Sequence, residues 1–101
     1  MITLQTINDV IYNYHNIDLH ATIVKQPTYE LSMFRRCFVN LARRYTDEGL
    51  LTIGKYLNIS CRNIPGKYVK NFDKISIDYK FSSIYRDLNL KLNAIKAKQI
   101  I

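Results

Sequence analysis

Arg62, Asn63, Lys67 and Lys70 are the residues of this chain whose types and spacing suit chemistry with a polyanion. An arginine or asparagine where a helix begins can fork onto the edge of guanine or adenine, and lysines a turn apart neutralise phosphates without reading sequence. Asn63 serves equally well as the cap of its own helix. Between positions 55 and 74 stand Lys55, Arg62, Lys67, Lys70 and Lys74 against Asp73 alone, a local net charge of +4. The whole chain carries fifteen basic and eight acidic residues, net +7. The distribution is uneven: Met1 to Phe34 holds Lys25 against Asp9, Asp18 and Glu30, so the excess lies wholly in the remainder. A basic face of this kind suits nucleic acid or another polyanion, or serves solubility alone.

Other chemistries find weaker footing. Gly49 to Tyr56 follows the G-x-x-x-x-G-K spacing of a phosphate loop, but Tyr56 stands where Ser or Thr would hold magnesium, and no strand precedes it. His15 and His20 have no nearby Cys or Glu to complete a metal set. No nucleophile, base and orienting group stand at a recognisable spacing, and Cys37 between Phe34 and Phe38 reads as a buried thiol, so no enzyme is expected and no cofactor. The eight tyrosines and four phenylalanines could stack on single-stranded bases, yet most recur at helical core spacing.

The scaffold that would position these residues is small. A length of 101 residues suits one domain, and 48% hydrophobic with 23% charged residues suits a packed core. No run approaches the ~18 apolar residues of a membrane span, and the N-terminus lacks a signal-peptide pattern, so an intracellular, cytoplasmic protein without a membrane partner is expected. Cys37 and Cys61 are too few for a disulfide framework.

Periodicity favours helices throughout. Ile7, Val10, Ile11 and Tyr14 share one face of a first helix, with Asp9 and Asn13 turned to water and His15-Asn16 ending it. Asp18 is placed to cap a single turn through Ile23. Thr28 can cap a long central helix to Tyr45, with Glu30 in its first turn and a stripe of Leu31, Phe34, Phe38, Leu41 and Tyr45. Arg35, Arg36, Arg43 and Arg44 fall largely outside that stripe. Leu50, Ile53 and Leu57 predict a short helix after the Thr46-to-Gly49 turn, with Gly54 allowing close packing and Asn58 as a left-handed cap. Pro65 opens a further helix anchored by Tyr68 and Phe72. Asp78 caps a last one, whose stripe is Phe81, Ile84, Tyr85, Leu88, Leu92 and Ile95, and whose end frays from Lys96. The expected fold is all-α, a compact five- to six-helix bundle in a single domain spanning 1–101. Two short helices joined by a turn between Thr46 and Phe72 have the grammar of a helix-turn-helix.

The string from Arg43 to Asn58, RRYTDEGLLTIGKYLN, preceded by RCFVNLA, resembles the C-terminal DNA-binding domain (domain IV) of the bacterial replication initiator DnaA. Leu41, Tyr45-Thr46, Leu50, Ile53-Gly54 and Leu57 occupy the family's pattern positions. Ile7, Val10, Tyr14, Ile17 and Lys25 match its first helix, turn and basic loop, and Phe72 with the Phe81-to-Leu92 stretch matches its terminal helices. Where that family carries Asp-His-Thr-Thr-Val, this chain has Cys61, Arg62, Asn63, Ile64 and Pro65. The resemblance implies a kept scaffold with an altered sequence preference and no ATPase, a stand-alone module of the kind a phage, plasmid or other mobile element encodes.

Together these readings predict a double-stranded DNA-binding protein acting in replication initiation or transcription control, associated with the nucleoid. Arg62, Asn63, Lys67 and Lys70 are the expected base contacts, and Lys25, Arg35, Lys55 and Lys74 the expected phosphate contacts. The alternative is a module that keeps the scaffold and binds a replication or transcription protein, with Ile59, Ile64 and Tyr68 supplying apolar area. The apolar tail from Ile95 to Ile101 leaves a homodimer open.

Overall fold

The computed structural model describes residues 1–21, 28–60, 62 and 79–100, the last two and Tyr79 by backbone alone. Among these residues all regular structure is helical: α1 (Leu4–His15), α2 (Tyr29–Tyr45), α3 (Leu50–Leu57) and α4 (Tyr79–Ile100). The bundle thus shows four helices rather than five or six among the described residues. The helix expected after Pro65, and with it the second half of the helix-turn-helix, lies outside them, as does Asp78.

Local chemistry sets most helix ends. Thr3 forms a capping box with Thr6, each side chain receiving the other's backbone N–H, and Asn16 closes α1 in the left-handed region at φ 58°. The Thr28 hydroxyl accepts from Leu31 N at 3.2 Å, as its position before Glu30 predicts. At the end of α3, Asn58 takes φ 60°, its N–H reaches Lys55 O, and Ile59 N reaches Gly54 O at 2.8 Å, a Schellman pair that turns the chain sharply. The string that imitates a phosphate loop is therefore helix α3, with Gly54 buried inside it.

The core joins all four helices around α2. Ile7 and Ile11, Phe34, Phe38 and Leu41, Ile53 and Leu57, and Phe81 and Leu88 are fully buried. Cys37 lies among them, and burial pushes its thiol pKa up to about 12, which leaves it protonated and unreactive at neutral pH.

Three face assignments and one boundary depart from the periodic reading. Tyr14, expected on the buried face of α1, is 61% exposed; its ring lies 4.2 Å from the Lys91 ammonium instead. Asn8, which no apolar pattern nominates, is buried. Arg35, largely outside the apolar stripe, is nevertheless buried at 3% exposure, because α2 is the central helix and is covered on more than one side. Helix α4 continues through the segment expected to fray from Lys96, up to Ile100.

Candidate nucleic-acid interface

A hydrogen-bonded corner joins the turn after α1 to the C-terminal end of α3. Its base is Asn8, whose Nδ2 donates to Asp18 Oδ1 at 3.0 Å while its Oδ1 accepts from Leu19 N at 3.0 Å. The same Asp18 oxygen accepts from the backbone N–H of His20 and of Ala21, both at 3.1 Å, which is the capping role its position predicts. His20 then crosses to α3. Its Nδ1 stands 2.8 Å from Tyr56 O, and since a carbonyl only accepts, Nδ1–H is the donor. Its ring stacks on Tyr56 with centroids 4.1 Å apart, and Tyr56 in turn stacks on Phe38 at 5.5 Å. Asn58 Nδ2 returns a bond to His20 O at 2.9 Å. The Tyr56 hydroxyl donates to Gln5 Oε1 at 2.8 Å, and burial together with Asp9 and Asp18 raises its pKa, so it remains a neutral donor.

This corner matters for position. In sequence His20 is followed through Ala21 by Lys25, and Asn58 through Ser60 by Arg62, and it is His20 and Asn58 that a hydrogen bond joins. Lys55 and Arg62 are exposed. Lys55 shares the outer face of α3 with Leu51 one turn before it, and that leucine is 57% exposed. Lys25, Asn63, Lys67, Lys70 and Lys74 lie outside the described residues. Arg35 is not brought to this surface: it is buried, and its Nε has no hydrogen-bond partner. The expected phosphate contact at Arg35 is thereby withdrawn, since a guanidinium enclosed by the core does not present its fork to solvent.

The two histidines also part company. His15 packs on Phe34 at 4.9 Å and His20 on Tyr56, and among the described residues no three His, Cys, Asp or Glu side chains gather as metal ligands. The His20–Tyr56–Asn58 contacts span 36 and 38 positions in sequence, so no local spacing announces them. No described helix is long and apolar enough to cross a membrane.

Hydrogen bonds from Asn8, Ala21 and His20 hold the Asp18 carboxyl below its ordinary pKa of 3.8, Asn8 contributing most. A lowered native pKa gives stability that is complete above 3.8 and disappears as the pH falls through the lowered value. Urea midpoints taken from about pH 5 to about pH 2 should therefore fall less steeply for Asp18→Asn than for the wild type. Parallel acid limbs would show that Asp18 is not held by this network.

Compared with protein families, with curated proteins and with solved structures, the chain finds no match.

Proposed function

We propose that this protein binds double-stranded DNA through the surface formed by the end of α3 and the two stretches that leave the Asn8–His20–Asn58 corner. The observation that carries the reading is that corner: it joins His20 to Asn58, a few residues in sequence before Lys25 and Arg62, and Lys25 with the Arg62-to-Lys74 stretch holds five basic residues against Asp73, Lys55 on α3 being a sixth. Arg62, Asn63, Lys67 and Lys70 are the proposed base contacts, and Lys25, Lys55 and Lys74 the proposed phosphate contacts. The likeness to the DnaA C-terminal domain supports the same surface and a role in replication initiation or transcription control at the nucleoid.

Fluorescence anisotropy against a random duplex at several salt concentrations tests the proposal. Micromolar binding is expected, with log affinity falling against log salt at a slope of about −4 to −5, the signature of about five neutralised phosphates. No binding at ~50 mM salt, where attraction between exposed charges is strong, would overturn it. The exposed Leu51 on α3 would then favour the alternative, a protein-binding module. Ile59 lends that alternative less support than its sequence position promised, because it packs against the core.

A further inference from the structure

Helix α4 has two faces, and the core uses one of them. Phe81, Leu88 and Leu92 are buried, and Ile84, Tyr85 and Ile95 pack against the core beside them. On the other side Ser83, Asp87, Leu90, Ala94 and Ala97 follow one another at steps of four, three, four and three. All five are exposed, Leu90 at 61%. Steps that alternate between three and four keep residues in one line along a helix, which is the spacing of a seam between two paired helices. One exposed leucine is ordinary on a protein surface. Here it stands in a line whose next two places are alanines, so a large side chain lies beside shallow ground that another large side chain can fill.

The charges along the line decide what fits it. Asp87 lies in the seam; its Oδ2 accepts from Lys91 at 2.6 Å, yet its side chain remains 50% exposed. Lys91 covers the Tyr14 ring at 4.2 Å, which turns it toward α1. Lys98 follows Ala97, is exposed, and has no ion pair among the described residues. A second α4 laid antiparallel sets Leu90 of each copy over Ala94 of the other. The same register sets Asp87 over Ala97 and beside Lys98, and a two-fold axis makes every contact twice. A parallel pair would instead set Asp87 on Asp87 and Lys98 on Lys98, which opposes like charges.

We infer that the outer face of α4 docks a second copy of this chain, the two helices running antiparallel with Leu90 seated on Ala94 and Asp87 paired with Lys98 across the axis. The inference goes beyond the DNA-binding reading and does not depend on it. The face is narrow, so the dimer is a weak one, with a dissociation constant on the order of 10–100 μM.

Sedimentation equilibrium of the full chain from about 5 to about 500 μM tests it, a range that brackets that constant. The average mass should rise from one chain toward two. L90E should stay monomeric throughout, with wild-type circular dichroism and melting temperature because Leu90 is exposed; should it fold poorly, A94E is expected to give the same loss. K98D should weaken association by about tenfold, and the swap D87K/K98D should recover it. A wild-type chain that is monomeric at every concentration overturns the inference. So does a dimer that persists in folded L90E, which would use another surface, and so does a swap that recovers nothing, which would exclude the antiparallel register. A monomer that binds phosphatidylserine vesicles and loses this in L90E would assign the face to a lipid surface and likewise overturn it.

Discussion

Phe38→Ala is expected to cost about 3–5 kcal/mol of folding stability, a large part of the roughly 5–15 kcal/mol a domain of this size possesses. Phe38 has no exposed surface, sits in the middle of the central helix and carries the Tyr56 ring on its own at an interplanar angle of 7°. Truncation would remove a large apolar side chain and leave a cavity that α2 cannot close, because Cys37, Val39, Leu41 and Ala42 around it are themselves fully buried. The loss should spread to the corner, since Tyr56 supports the His20 ring and supplies the carbonyl that His20 Nδ1 bonds. Urea denaturation followed by far-UV circular dichroism gives the value. A shift under ~1 kcal/mol would mean that the core repacks around the missing ring and that Phe38 is not its keystone.

The second large effect is expected at Asn8. Asn8→Ala should cost about 2–3 kcal/mol, more than an ordinary polar substitution on a helix, because it strands groups on the far side of the bond. The Leu19 N–H belongs to a residue with no exposed surface and would lose its acceptor, and Asp18 would lose the donor that most lowers its pKa. Apolar replacement does not remedy this, so Asn8→Leu should also destabilise although it suits the helix face better. Asn8→Asp separates the two roles: its carboxylate can still accept from Leu19 N but faces the Asp18 carboxylate, and it should be the worst of the three at neutral pH and recover as the pH is lowered. Equal stability of all three with wild type would show that water replaces the amide without loss.

Both predictions turn on residues that differ in how visible they are before folding. Phe38 is legible from its place in the Leu31-to-Tyr45 stripe, because a helix repeats every 3.6 residues and an apolar stripe at that period has to be covered. Asn8 is not: on its own helix it is a polar residue between apolar ones, and its burial follows from the turn at Asp18 folding back over it. Asp18 itself is recognised as a cap but not as the partner of Asn8 ten residues earlier. Within the candidate site the basic residues are evident from composition alone. The clamp that joins the turn after α1 to the end of α3, His20 on Tyr56 and Asn58 on His20, depends on contacts no spacing rule reaches.

The sequence by itself determined the helical class, the Thr28-to-Tyr45 and Leu50-to-Leu57 helices with their caps, and the concentration of positive charge after Phe34. These are local or additive properties: a cap needs only its own first turn, and charge needs only counting. Tertiary structure alone decided which polar residues lie inside. Arg35 was enclosed and Arg43 and Arg44 left outside because α2 is covered along its middle by α1, α3 and α4 and emerges only at its ends. One helix's periodicity describes one face, whereas the number of neighbours around a central helix is set by the rest of the chain.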